Sequence, residues 1–329
     1  ERRLPQDGRI LYEPQSGGPP VDIRISTMPL LAGEKAVLRL LDTSHHLLDI
    51  GQLDFSPENE QSFRRLCHSP GGLILTSGPV NSGKTTTLYA ALQELNTINR
   101  NIVTIEDPVE YHLQGINQIQ VNAKTGLNFA LGLRSILRQD PDVVMVGEIR
   151  DEETAAIAVR AALTGHLLLS TLHTGNAAGV LFRLLDMGVA PYLLAASLRG
   201  VLAQRLVRRI CPECREACVV TPQLQEKNVF LQGFSGRTLY HGRGCAACGG
   251  TGYHGRLALQ ELLVLDDDLK KAVLSGGDRS AIETMLQGRG RKTLWEDGRE
   301  KALQGLTTWE EVTRVINGDF MEGCISKNP

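Results

Sequence analysis

Aromatic residues make up only 5% of the 329-residue chain, with two tryptophans among them. Grooves that stack single-stranded nucleic acid are built from such side chains along a basic track, so no nucleic-acid partner is expected. Charge of one sign is also scarce: 35 Lys and Arg stand against 37 Asp and Glu, a net charge of -2. That balance offers no global attraction to polyanions or anionic lipid. No apolar run approaches the roughly 20 residues of a membrane helix. No signal peptide, internal repeat or low-complexity tract is visible. The chain opens on Glu1 rather than Met, so an upstream segment is expected. What remains is an ordinary globular composition, 42% apolar and 22% charged, with material for two or three domains.

The apolar pattern changes along the chain. GRILYE, VDIRIS and AVLRLL alternate like half-buried strands, separated by the turn PQSGGPP, and suggest a small α+β unit at the amino end. A connector, SHHLLDIGQLDFSPEN, and a helix from about Glu58 to Cys67 follow. From Gly71 short buried runs alternate with helical stretches: LILTS, a helix from about Lys84 to Leu95, NIVTI, a helix from about Phe129 to Arg138, VVMV, a helix from about Glu152 to Leu163, and LLLS. Such alternation means a mostly parallel sheet covered on both faces. Further helices are expected near Ala177 to Met187 and Pro191 to Leu202. After a Cys- and Gly-rich stretch the rest reads as short helices: DDLKKAVL, SAIETMLQ, TLWEDGREKALQ and TTWEEVTRVI. Gly305 followed by Thr307 and Thr308 reads as a helix stop and a new N-cap.

GPVNSGKTT, Gly78 to Thr86, joins the strand LILTS to a helix and matches G-x-x-x-x-G-K-[ST]. Glycines let backbone N–H groups turn around phosphate oxygens, and the helix N-terminus adds partial positive charge. Lys84 would reach the β- and γ-phosphates and the Thr85 hydroxyl would ligate magnesium. Two further strand ends carry acids: Glu106, Asp107 and Glu110 after NIVTI, and Glu148 after VVMV. Ligands of open parallel sheets collect at the carboxyl ends of strands, so Glu106, Glu148 and the phosphate loop can converge. Phosphoryl transfer to water needs a metal, a positioned water and compensating positive charge. Glu148 is the candidate for orienting the water and helping to take its proton. Glu106 is a candidate either for holding magnesium through its water shell or for sharing the water. For Asp107 and Glu110 a solvated or helix-capping role is an equal competitor.

His166 and His173 bracket LLLS, and His173 is placed to sense a γ-phosphate; for His166 an ordinary satisfied histidine is the competing reading. Arg24 and Arg39 lie in strand-like segments, and an arginine lent by another domain or subunit can stabilise transition-state charge. QRLVRR, Gln204 to Arg209, is basic but short, either an interface or a solvated face. CPEC and CAAC give C-x₂-C-x₃₀-C-x₂-C, in which Cys211, Cys214, Cys245 and Cys248 can complete a closed, structural zinc shell. Cys218 is a substitute ligand; Cys67 and Cys324 read as plain core and tail residues.

Together these stretches resemble the assembly ATPases of bacterial type II secretion systems and type IV pili. RLPQDGRI and VDIRIST resemble that family's second N-terminal domain, GPVNSGKTTTLY its Walker A loop, VTIEDPVEY its Asp box, LRSILRQDPDVVMVGEIRDEETA its Walker B region, TGHLLLSTLHT its His box, and the paired C-x-x-C motifs its tetracysteine element. The resemblance implies an α/β fold: a RecA-like P-loop NTPase domain with a small α+β N-terminal domain, a zinc-binding insert and a helical C-terminal region. The implied divisions are residues 1–55 (PAS-like α+β), 56–210, 211–255 and 256–329.

It also implies an ATP-hydrolysing homo-hexamer, bound peripherally to the cytoplasmic face of the inner membrane. A cytoplasmic recruitment protein and an inner-membrane platform protein would be its partners. ATP, Mg²⁺ and Zn²⁺ are the implied cofactors. Gly78, Asn81, Ser82, Gly83, Lys84, Thr85 and Thr86 would hold nucleotide. Glu148, Glu106, Lys84, Arg24, Arg39 and His173 would act on the phosphates. Two departures stand out: Val80-Asn81 where Thr-Gly is common, and Gly175-Asn176 where Asn-Asp is common. A DNA-uptake motor of the same family, a nucleic-acid translocase and a non-catalytic nucleotide-gated scaffold are the rival readings.

Overall fold

The computed structural model describes residues 1–14, 21–42, 48–227, 231, 233–275, 282, 284–286 and 292–317. Packing divides the chain into two units, Glu1–Leu47 and Leu48–Pro329. In the first, the three alternating stretches become β1 (Gln6–Tyr12), β2 (Val21–Leu30) and β3 (Gly33–Asp42), an antiparallel meander in the order β1-β2-β3. Among the described residues this unit holds no helix. The period of two sorts its side chains: Ile10, Ile23 and Leu40 align in one cross-strand row, and Arg9, Arg24 and Arg39 in the next, which places the two rows on opposite faces. The turn at 15–20 lies outside the described residues.

The second unit starts with α1 (Pro57–Cys67), whose N-cap Ser56 accepts from the Asn59 N–H. Its sheet is built from β4 (Gly72–Ser77), β5 (Ile102–Glu106), β6 (Asn117–Gln120), β7 (Val143–Val146), β8 (Leu167–Leu172), β9 (Leu198–Ile210) and β12 (Tyr253–Val264), in the order β12-β9-β4-β8-β7-β5-β6. All neighbours run parallel except β12, which is antiparallel to β9. Between the strands lie α2 (Lys84–Leu95), α3 (Phe129–Ile136), α4 (Glu152–Leu163), α5 (Ala177–Asp186) and α6 (Pro191–Ser197). β4, β7 and β8 are buried at every residue, as strands covered on both faces must be. Leu73 and Leu75 join the core shared with α3, α4, α5 and α6. Ile74 between them points the other way, and α2 also packs on β4.

Two expectations are corrected. The helix expected from Pro191 to Leu202 stops at Ser197, and residues 198–210 form β9. Leu- and Ala-rich LLAASLRGVLAQ favours helix intrinsically, but here it pairs with the edge of β4 opposite β8. Gly200 sits where a Cβ would lie 2.5 Å from Leu66. Likewise the carboxyl region is not helical throughout. Residues 253–264 form β12, which pairs with β9 from Tyr253↔Ile210 to Val264↔Gly200. It escapes a period-two reading because its polar Gln260 and Glu261 are as buried as its leucines; the Gln260 side chain donates to the Leu53 carbonyl at 3.0 Å.

The four cysteines therefore sit in the connection between two paired strands. That connection carries a ribbon of β10 (Arg215–Val219) and β11 (Thr238–Gly242) and the short α7 (Pro222–Lys227). After α8 (Asp267–Leu274), α9 (Leu294–Leu303) opens with a Thr293–Glu296 capping box. In α10 (Trp309–Asn317) Thr308 caps the Glu311 N–H, after Gly305 in a left-handed turn. Trp309 packs on Phe234 with ring centroids 4.9 Å apart, which docks the last helix on the cysteine-bearing connection. Half of the helix expected at SAIETMLQ, and the tail with Cys324, fall outside the described residues. Among those described, no helix is long and apolar enough to cross a membrane.

Candidate functional site

The phosphate loop leaves β4 at Gly78 and enters α2 at Gly83, both at positive φ (+155° and +84°). At Gly78 a Cβ would lie 2.5 Å from the Gln204 carbonyl, and at Gly83 2.6 Å from Gln204 Nε2, so only glycine fits either place. Asn81 is left-handed as well, φ +62°. Asparagine is among the few residues that accept this conformation, so the Val80-Asn81 departure keeps the turn. Lys84 folds back on the loop, donating to the Gly78 and Pro79 carbonyls at 2.9 and 2.8 Å. Burial pulls it down to about 8, with the Glu148 charge opposing and Arg205 adding to the effect. Thr85 and Thr86 are exposed in the first turn of α2. The hydroxyl of Ser82 is buried with no partner among the described residues. A buried orphan hydroxyl beside a lysine and a helix N-terminus fits a phosphate oxyanion.

Glu148 follows β7 by two residues and its side chain is 20% exposed. Its Oε1 accepts from Arg150 Nη2 at 2.5 Å, and its Oε2 lies 3.4 Å from His173 Nε2 at the end of β8. Burial pushes the carboxyl up, but the Arg150 hydrogen bond and charge, with His173, outweigh it and hold Glu148 below the usual carboxylate range. Lys84, Glu148 and His173 thus come together at the carboxyl edge of β4, β7 and β8. Glu106 ends β5 at the same edge but is 3% exposed. Tyr89 Oη donates to its Oε2 at 2.5 Å, and Thr104 Oγ1 and Gln118 Nε2 donate to its Oε1 at 2.6 and 3.1 Å. Asp107 lies 3.5 Å from Arg150 Nη1. His166 is at the opposite, amino end of β8, with Nδ1 on the Ala161 carbonyl and Thr164 hydroxyl at 3.1 Å each.

Sequence reasoning missed Gln204 and Arg205. Gln204 accepts from Thr87 Oγ1 at 2.8 Å and donates to the Ser82 carbonyl at 2.9 Å. Arg205, 8% exposed, donates to the Gln204 and Gly175 carbonyls at 2.9 and 2.6 Å. Both lie in QRLVRR. Arg208 pairs with Glu311 and Arg209 with Asp54, each at 2.6 Å, so these basic side chains are paired within the chain. Asn176 caps α5 by accepting from the Gly179 N–H at 2.8 Å, the task an Asp would perform there. Arg24 and Arg39 belong to the first unit, where they are directly paired across β2 and β3.

The sulfurs of Cys211, Cys214, Cys245 and Cys248 lie within 4.8 Å of one another. The sulfurs are 3.8 Å apart for Cys211–Cys245, 3.9 Å for Cys214–Cys248 and 3.7 Å for Cys245–Cys248. Four sulfurs about 2.3 Å from a tetrahedral zinc are about 3.8 Å apart, whereas a disulfide needs about 2.05 Å. The donor set fits zinc. Backbone N–H groups of Gly244, Cys245 and Gly252 point at the sulfurs of Cys214 and Cys248 from 3.2–3.3 Å, which favours thiolates. Cys218 is exposed and outside the cluster, and Cys67 is a buried core thiol that burial pushes up to about 12.

A family model described as "Type II/IV secretion system protein" matches residues 1–314. Type II secretion system protein E of Dickeya dadantii is 53% identical over 315 residues, 96% of this chain and 62% of that protein. The type IV pilus assembly ATPase PilB of Thermus thermophilus is 50% identical over 313 residues, 95% of this chain and 35% of that protein. Among solved structures, the pilus retraction motor PilT with bound ADP has a TM-score of 0.67 at 26% identity, over 94% of this chain and 77% of that one. The chain spans 62% of the length of the secretion relative just named.

Proposed function

The chain belongs to the type II/IV secretion system protein family, and from that premise we propose that it hydrolyses ATP as the motor of a type II secretion or type IV pilus assembly machine. The observation that carries this reading is the meeting of Lys84, Glu148 and His173 beside the orphan hydroxyl of Ser82. In this reading the loop from Gly78 to Thr86 binds the triphosphate through its backbone N–H groups. Lys84 leaves the Gly78 and Pro79 carbonyls for the β- and γ-phosphates. Glu148, ionised and at a strand end, orients the attacking water and takes up its proton. His173 stands beside it, facing the terminal phosphate. Thr85 is the proposed magnesium ligand; the ion would neutralise charge on the phosphates. Glu106, bound by three donors, shapes the strand end from below as a second acid near the metal. Arg24 and Arg39 are proposed to supply positive charge within a ring of six copies.

The four cysteines are proposed to hold one structural zinc. Attachment to the cytoplasmic face of the inner membrane, through a platform protein and a recruitment protein, belongs to the same proposal. It rests on the resemblance to secretion and pilus assembly ATPases; the names of the relatives speak of a secretion system and of pilus assembly. The test is steady-state ATP hydrolysis by hexameric wild type and Glu148→Gln. A fall of about 10²–10⁴-fold with nucleotide binding retained is expected for loss of a positioned base. Equal rates in a hexameric preparation would remove Glu148 from the mechanism.

A further inference from the structure

Arg150 has no role in the chemistry just described, yet it is the group most closely applied to Glu148. Its Nη2 is 2.5 Å from Glu148 Oε1 and its Nη1 3.5 Å from Asp107 Oδ2. Its guanidinium lies 5.7 Å from the ring centroid of Phe129, a cation–π contact with the first, buried residue of α3. One planar cation is therefore held by three elements: the segment after β7, the segment after β5, and α3. A glutamate on a loop has three rotatable bonds and, unpinned, would sample several rotamers. Here Oε1 is occupied by Arg150, and Oε2 is left on the side of His173, 3.4 Å away.

Resting on the reading of Glu148 as the group that handles water, we propose that Arg150 is a positioning residue that pins Glu148 Oε1, fixing which oxygen takes the proton, and that Asp107 serves by holding Arg150 in place. The charged groups that face Glu148 are Arg150 from its own segment, His173 from the end of β8 and Lys84 from α2; Asp107 is coupled to it through Arg150. Burial alone raises the Glu148 carboxyl, and the arginine is the largest influence against that rise. The sign follows. With Arg150 present Glu148 stays ionised to lower pH; without it the carboxyl protonates at higher pH, and the base is lost earlier as pH falls. Arg150 thereby trades some basicity for ionisation and orientation.

The experiment is the pH dependence of kcat and KM for ATP, between about pH 5 and 8. It compares the assembled wild type with Arg150→Gln, Arg150→Lys, Asp107→Asn and the double variant Arg150→Gln/Asp107→Asn. Arg150→Gln is expected to move the acid limb of kcat upward by about one pH unit or more, the size of effect of an arginine beside a carboxylate. The plateau should fall about tenfold while KM stays within about threefold. Arg150→Lys should return the limb part of the way, and Asp107→Asn should add nothing once Arg150 is gone. Should Arg150→Gln be too slow to follow, the limb of Arg150→Lys decides. An unmoved acid limb overturns the proposal, as does additivity of the Asp107 and Arg150 effects. If wild type fails to hydrolyse ATP, or Glu148→Gln matches it, the parent reading fails instead.

Discussion

Gln204 donates to the Ser82 carbonyl at 2.9 Å across 122 residues of sequence. With its other atom it accepts from the Thr87 hydroxyl at 2.8 Å. One buried side chain of β9 thus ties the last turn of the phosphate loop to the first turn of α2. Nothing in QRLVRR as a string announces that role.

Gln204→Leu keeps the volume and removes both bonds. It leaves the Ser82 carbonyl and the Thr87 hydroxyl buried without partners, at a cost of about 1–3 kcal/mol each. Nucleotide affinity is expected to fall about tenfold or more, with kcat at saturation changing much less, because the residue braces the cradle and touches no reacting atom. Fluorescent-nucleotide titration beside steady-state kinetics checks both parts; unchanged affinity would assign Gln204 to packing alone.

Burial lowers Lys84 to about 8. A triphosphate favours the charged ammonium and raises that value again. Binding near pH 8 should then take up about half a proton, and affinity should weaken as pH rises beyond it. Calorimetry in buffers of different ionisation enthalpy measures the uptake. No uptake near pH 8, or tighter binding at higher pH, would contradict the prediction.

From sulfur separations of 3.7–3.9 Å, the expected outcome of metal analysis is one zinc per chain. Cys211→Ser, or chelation with thiols kept reduced, should release the metal. The melting temperature should drop by more than about 5 °C, since a loss of a few kcal/mol shifts a domain of this size by that much. Nucleotide binding at the loop from Gly78 to Thr86 should survive. Elemental analysis with a melting curve tests this; a metal-free, fully reduced protein with an unchanged melt would sink the site.

Much of the site was legible in the string because its signals are local. The glycines at 78 and 83 stand where φ is positive, so the loop can be read without the fold. α2 and α4 begin and end where their patterns do, the latter because Asp151 caps the Thr154 N–H at 2.8 Å. The four-residue run VVMV could only be a buried strand. The asparagines at 81 and 176 looked like departures in sequence. In place, one accepts the left-handed turn and the other caps a helix.

What the sequence determined by itself was therefore the chemistry on offer: a phosphate loop, acids at strand ends, a histidine after β8 and four thiols in two pairs. Periodicity and turn chemistry act within a few residues, so they survive in the string. Only the tertiary structure decided which side chains meet. Residues 198–210 and 253–264 became strands because each covers an edge of the sheet, a long-range gain in burial that overrides the helical preference of leucine and alanine. That same pairing brought Gln204 beneath the loop and closed the two cysteine pairs on one another. It was the folding of two separate strand ends, those of β5 and β7, to one edge that set Arg150 between Asp107 and Glu148.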